Sequence, residues 1–202
     1  MNKTLIIFAN SVKHKRHCVA GKDVSTKEWI RTVGDKNGCA LEDEQTKYQN
    51  PYGKYLVKPL QGMNIEFLDK APLRHQPENY IISSKIWEQK YRIEREEIES
   101  FLDNPSNLWL DGISKNDRVK YKLIQNNEMQ VTQSLYLIKV NDLKVDKQDR
   151  RARFSFNNTS YCLKVTDPKI QYFDNSKKSY YLVISLGEEY KEYCYKIVAT
   201  IL

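Results

Sequence analysis

The sequence predicts a mainly β, β-rich α+β protein, two basic β modules joined by a helical segment, and three observations carry that reading. Asn157-Asn158-Thr159-Ser160 is a cluster of turn formers between two alternating runs, the pattern of a β-hairpin. Residues 87–102 (WEQKYRIEREEIESFL) instead repeat apolar residues near helical spacing, at Trp87, Tyr91, Ile98, Phe101 and Leu102, and stop at Asp103-Asn104-Pro105. Charge follows the same division. Residues 1–60 hold 11 Lys/Arg and 6 Asp/Glu, residues 61–130 hold 10 and 12, and residues 131–202 hold 12 and 8, so the net +7 sits at the two ends.

A chain of 202 residues suffices for one large or two small domains and buries a core without staples. With 40% hydrophobic and 11% aromatic residues it is globular rather than disordered. No apolar run approaches a membrane span, and Leu5 to Ala9 is too short for a signal-peptide core, so a cytoplasmic protein with no membrane partner is expected. Cys18, Cys39, Cys162 and Cys194 lie far apart with no CxxC pair, which points to reduced thiols.

In chain order, Lys3 to Ala9 reads as a buried strand, Asn10 to Gly21 as a polar basic loop, and Thr26 to Val33 as a strand with Trp29 and Arg31 on one face. Leu56 to Phe67 is broken by Pro59 and Gly62, as in the bent strands of a small barrel. Domain boundaries follow: residues 1–85 form the first module, 86–130 a helical connector and loop, and 131–202 the second module. Gln133 to Val140, Tyr180 to Gly187 and Tyr193 to Leu202 are strands of the latter, the last of them central.

Across the turn cluster, Phe156 is expected to face Tyr161, Phe154 to face Leu163, Ala152 to face Val165 and Arg153 to face Lys164. One face is then a core wall, and the other gathers Arg151, Arg153 and Lys164. Like charges opposite one another cost energy unless solvent or an anion relieves them. That face reads either as a phosphate site or as a solvated edge that resists aggregation.

Several stretches carry a resemblance. FANSVKHKRHCVAGKDV, EWIRTV with GCAL, NLWLDG with NDRV, RARFSFNNTSYCLKVTDPKI and YLVISLGEEYKEYCYKIVATI run in colinear order from residue 4 onward. Together they resemble the bacterial family of dual OB domain-containing proteins. The resemblance implies two OB-like barrels and a role as nucleic-acid or nucleotide sensor in prokaryotic conflict and anti-phage defence systems. The family pattern after Trp-Ile-Arg is Pro-Val-Ser, whereas Thr32-Val33-Gly34 stands here, which leaves Trp29 and Arg31 in place.

Candidate ligand residues follow from charge and hydrogen-bonding chemistry. Asn10 and Ser11 offer hydrogen bonds while Lys13 and Arg16 neutralise phosphate, or else the first two cap a turn and the others are solvated. Trp29 beside Arg31 is a stacking platform with a phosphate partner, or a core tryptophan. Arg151, Arg153 and Lys164 form the second basic set, which Lys169 extends. Asp117-Arg118 reads as an ion pair fixing a loop, Trp109 as its anchor, and Lys196 as the member of the last strand whose charge calls for a partner.

Catalysis has little support: Ser11 with Lys13 and His17 with Cys18 are only sequence neighbours. His14, His17, Cys18 and Cys39 lack a standard metal-ligand spacing, and no pattern calls for a cofactor. The expected partner is RNA, DNA or a phosphorylated small molecule. The rival is a protein-interaction adaptor that recognises a partner from the same defence system.

Overall fold

The computed structural model describes residues 1–13, 15–174 and 176–202, the Lys13 side chain excepted. Half of the chain is strand and 9% helix. It divides into two compact units, residues 1–73 with 77–101, and residues 74–76 with 102–202.

The first unit contains β1 (Asn2–Lys13), β2 (Arg16–Asp23), β3 (Trp29–Val33), β4 (Lys47–Asn50), β5 (Gly53–Leu56), β6 (Gln61–Lys70), β7 (Asn79–Ile82) and β8 (Trp87–Arg92). Five of these close a barrel in the order β1-β2-β3-β7-β6 and back to β1, with β3 and β7 parallel. Closure depends on the length of β1. Its first half pairs with β6, from Asn2 opposite Glu66 to Ile6 opposite Gly62, and its later residues pair with β2. An irregularity at Phe8, between the Ile7–Gly21 and Ala9–Ala20 pairs, bends the strand from one partner to the other. At Gly21 the backbones come so close that a Cβ would lie 2.4 Å from the Ile6 carbonyl oxygen. Leu5, Ile7, Val19, Ile30, Met63, Ile65, Phe67 and Trp87 fill the core.

Two expectations are corrected here. Asn10 to Gly21 is not a loop: β1 continues to Lys13 and β2 begins at Arg16, so Asn10 and Ser11 are strand residues. Gly21 serves that close approach rather than a turn. Nor is Trp87 to Leu102 a helix. β8 pairs with β6, Gln61 opposite Arg92, and with β4, Tyr48 opposite Trp87, while Arg95–Phe101 forms only 3-10 turns. An available strand edge and the strand-forming Trp87 and Tyr91 outweigh the helical spacing, because propensity is a weak prior against tertiary pairing.

The second unit contains β9 (Arg118–Lys120), α1 (Tyr121–Gln125), β10 (Leu135–Val140), β11 (Lys144–Asp146), β12 (Arg151–Phe156), β13 (Thr159–Val165), β14 (Tyr180–Tyr190) and β15 (Tyr193–Ile201). The expected helical connector over residues 86–130 therefore keeps a single five-residue α-helix among the described residues. The sheet order is β10-β14-β15-β13-β12-β11, with β13 and β15 parallel and β9 added to β15. This repeats the order of the first unit, with β10 and β11 as two halves of an interrupted first strand. At the interruption both Asp142 carboxylate oxygens accept the Ser155 N–H at 3.0 Å, replacing a missing ladder carbonyl.

The β12–β13 hairpin corrects the expected register. Asn157 and Asn158, at φ 47° and 62°, form a two-residue turn with both residues left-handed, the type I′ geometry that asparagine tolerates. The pairs are Phe154–Tyr161, Arg153–Cys162, Ala152–Leu163 and Arg151–Lys164. Arg151, not Arg153, thus faces Lys164. The shift is two residues, so every side chain keeps its predicted face. Ala152, Phe154, Tyr161, Leu163 and Val165 are buried in the core with Trp109, Ile138, Leu182 and Val198.

Candidate nucleic-acid interface

In a barrel of this order, oligonucleotides are taken on the outer face of the second and third strands and the adjoining loops. Those strands are β2 and β3 in the first unit and β12 and β13 in the second. The two faces differ in accessibility.

On β2 and β3 the inward residues are Val19 and Ile30, so Ala20, Lys22, Trp29 and Arg31 point outward. All four are buried, Trp29 to 5% exposure and Arg31 to 8%. The Arg95–Phe101 turns supply part of this cover. The Phe101 ring packs 5.4 Å from Phe8, its carbonyl accepts the Lys22 ammonium at 2.7 Å, and Lys27 sits 3.6 Å over the ring. Phe8 in turn meets Trp29 edge-on at 6.0 Å. Arg31 is engaged by Glu78, 3.4 Å away and equally buried. Trp29 and Arg31 therefore share a strand face, as the alternation predicts, but it is a packed face.

The remaining first-unit candidates tie chain segments together. Asn10 donates to the Val57 carbonyl at 2.8 Å and meets the His17 ring at 2.6 Å, whose other nitrogen reaches Asp43 at 2.9 Å. Ser11 is buried. Arg16 is exposed and reaches the Ala40 carbonyl and the Glu42 carboxylate. The Lys13 side chain lies outside the described residues.

The second unit presents the open face. Arg153, Ser155, Ser160, Cys162 and Lys164 are exposed on β12 and β13, and Arg151 is half-buried with one N–H on the Cys162 carbonyl. On β11, Lys144 lies opposite Arg153 and Asp146 opposite Arg151. The parallel pairing of Lys164 with Ile197 carries this face onto β15, where Tyr193, Tyr195 and Ile197 alternate outward between the buried Cys194, Lys196 and Val198. Lys169 is exposed in the turn after β13, its N–H on the Asp167 carboxylate, beside a cleft of about 280 Å³ floored by Ile170, Phe173 and Tyr180.

Aromatic and cationic groups interleave on β15. Arg118 of β9 pairs with Tyr195, and its guanidinium carbon lies 4.8 Å from that ring centroid and 5.4 Å from that of Tyr193. Tyr190, 60% exposed, closes the row 6.3 Å from Tyr195, with Lys191 over its own ring at 5.3 Å. Asp117 grips Arg118 through both carboxylate oxygens, at 2.7 and 3.0 Å. Burial raises the Asp117 pKa, but the Arg118 hydrogen bonds and charge, followed by the charge of Arg151, outweigh it and hold the group below the usual carboxylate range. The Arg151 effect places β12 and Asp117 within one electrostatic neighbourhood.

Sequence reasoning brought Arg151, Arg153 and Lys164 together correctly and missed Arg118, Tyr190, Tyr193 and Tyr195. The expected ion pair Asp117–Arg118 is present, and Trp109 is buried with its indole N–H on the Gln133 carbonyl. The missed signal was tyrosine at alternate positions beside the two-residue Lys191-Glu192 turn. Among the described residues no group of three or more His, Cys, Asp or Glu is placed to hold a metal ion. No helix there is long and apolar enough to cross a membrane.

A closed five-strand barrel whose third and fifth strands are parallel, followed by a second sheet of the same order, defines a protein of paired OB folds. The chain belongs to the dual OB-containing domain family, whose model matches residues 3–201. No curated protein matches it.

Proposed function

We propose that this protein binds nucleic acid or a nucleotide without transforming it, on the outer face of β12, β13 and β15. One observation carries the reading: Arg153 and Lys164 stand open, with the half-buried Arg151 beside them, on the strands that OB folds use for oligonucleotides, continuous with the Arg118, Tyr193 and Tyr195 cluster. Cations neutralise phosphates while tyrosine rings stack on bases, at roughly 1–3 kcal/mol per base. The family resemblance supports a sensing role in a prokaryotic defence or conflict system. The first barrel supports the molecule rather than binding, since its corresponding side chains are packed.

The test is anisotropy titration of labelled single-stranded and duplex oligonucleotides and cyclic nucleotides across salt. Binding that weakens with salt and is lost in Arg153→Ala combined with Tyr195→Ala supports the assignment. No binding at low salt refutes it and favours an adaptor role. That second reading has its own observation, the edge strand β5, where Tyr52, 88% exposed, precedes the exposed Tyr55 and Leu56.

A further inference from the structure

Lys196 lies inside the second unit, directly behind the open face. On β15 it alternates with Cys194 and Val198, both in the core, and it pairs with Leu186 of β14. It is 2% exposed, and its Nζ has no hydrogen-bond partner among the described residues. An unpartnered buried ammonium is costly, and a Leu or Met would fill the same space at no such cost. Its neighbourhood shows what the charge does there.

The Lys196 N–H donates to the Asp117 carbonyl at 2.8 Å, so its backbone adjoins the residue that grips Arg118. Asp111 and then Asp117, both in the segment leading into β9, are the charges that favour its protonated form. Asp111 is spent on backbone, accepting the N–H groups of Ile113, Ser114 and Lys120. On its own strand the inward neighbour is Cys194, whose thiol burial and then Glu189 and Glu188 of β14 push up to about 12, so it stays neutral, and Tyr193 and Tyr195 stand on the other face. β14 faces Lys196 with the apolar Leu186, from β9 the charged groups are Arg118 and Lys120, β13 beside it carries Lys164, and α1 carries Tyr121 and Lys122.

We propose that Lys196 is a positioning residue for the ligand face: its buried charge, on the residue whose backbone bonds Asp117, offsets that carboxylate through space and so leaves the Arg118 guanidinium able to engage a ligand phosphate. The inference rests on the function proposed above. Around Lys196 stand Asp111 and Asp117 against Arg118, Lys120 and Arg151. Loss of the Lys196 proton removes one positive charge from beneath an anion-binding surface. Burial brings the Lys196 pKa down to about 8, so the change falls at mildly alkaline pH. One unit charge at an effective dielectric of about 20 alters the affinity of a nearby anion by roughly tenfold.

The experiment has a ligand-free arm and a ligand arm. In ligand-free protein, the Arg118 Nε–H and Tyr195 ring resonances are followed by NMR from about pH 6.5 to 9.5 in wild type, Lys196→Met and Lys196→Arg. A midpoint near 8 is expected in wild type and not in the variants, and the same spectra report folding. In the ligand arm, the affinity of a labelled single-stranded oligoadenylate falls roughly tenfold over that range in wild type. It is weak and flat in Lys196→Met, and tight and flat in Lys196→Arg. Wild-type resonances that do not titrate near 8 overturn the coupling whether or not the variants fold. Binding whose pH profile is parallel in wild type and Lys196→Met overturns the role of Lys196 alone. No binding by wild type at any pH overturns the ligand face.

Discussion

Arg118 lies over Tyr195, guanidinium carbon to ring centroid 4.8 Å, while Asp117 holds its Nε and Nη2 and its Nη1 reaches the Tyr195 hydroxyl at 3.3 Å. Strand pairing creates this contact between residues 77 positions apart. A cation stacked on a ring offers a phosphate partner and a base platform together.

Removing that platform should cost affinity without unfolding the second unit. Tyr195→Ala is expected to weaken single-stranded binding by roughly 1–3 kcal/mol with little change in salt slope, because stacking releases few ions. Tyr195→Phe keeps the ring and loses only the hydroxyl contact, so it should bind close to wild type. Equal loss in both variants would show that the ring is not a stacking surface.

Arg153 and Trp29 should part company in a salt titration. Arg153 is exposed, so Arg153→Ala should fold normally and reduce the salt slope by about one unit. Trp29 is packed against Phe8 with the Lys22 ammonium 5.3 Å from its ring, and Trp29→Ala should instead cost about 3–5 kcal/mol of stability. Urea unfolding beside the binding curves separates the two. A stable Trp29→Ala protein with impaired binding would return Trp29 to the ligand face.

The turn that set the register is also testable. Asn158 sits at φ 62° with an exposed side chain, so Asn158→Gly should be neutral or stabilising, while Asn158→Ala should cost about 1 kcal/mol. Asn157→Gly differs, because its amide donates to the Pro105 and Ser106 carbonyls at 2.9 and 3.1 Å. Chemical denaturation ranks the three, and a destabilised Asn158→Gly would contradict the type I′ assignment.

The faces of β12 and β13 were legible because alternation survives a register error of two residues, and the predicted core wall of Phe154 and Leu163 is buried. The turn length was not, since Asn157-Asn158 and the following Thr159-Ser160 are all turn formers. Trp29 and Arg31 were legible as neighbours on a strand. Their burial was not, because it depends on contacts such as Phe101 on Phe8, between residues 93 positions apart, inside a stretch whose spacing imitates a helix. Arg118 meets Tyr195 through a three-residue strand, too short to leave a periodic signal.

Asp23 predicts acid sensitivity in the first unit. Burial works against its ionised form, but hydrogen bonds from Lys3 at 2.7 Å and from Ser25 outweigh burial and hold the carboxyl at about 2, against 3.8 for the free group. A depressed folded pKa stabilises above the unfolded value, and that stability is lost as pH falls from about 4 to about 2. Asp23→Asn should therefore be less stable than wild type near neutrality, by about 2 kcal/mol, and the gap should close in that window. A pH-independent gap in urea midpoints would mean that the ion pair is not its source.

Lys196 predicts a slope of the same sign at alkaline pH. Its folded pKa, about 8, lies below the unfolded value of 10.5, so between these limits the unfolded chain binds more protons and stability rises with pH. The full rise is about 3 kcal/mol. Below about pH 8 both states are protonated, and the cost of the buried charge is present in full. Cys194 acts with the other sign, since its folded pKa, about 12, exceeds the 9.0 of the free thiol and its contribution fades above that value. Comparing wild type with Lys196→Met removes the cysteine contribution, which both share. Lys196→Met should be the more stable protein at pH 7, and the difference should shrink as pH rises through 8 to 10, as read from urea midpoints. A constant difference would show that Lys196 keeps its proton when folded, and would place a carboxylate in closer contact with it than Asp111 or Asp117.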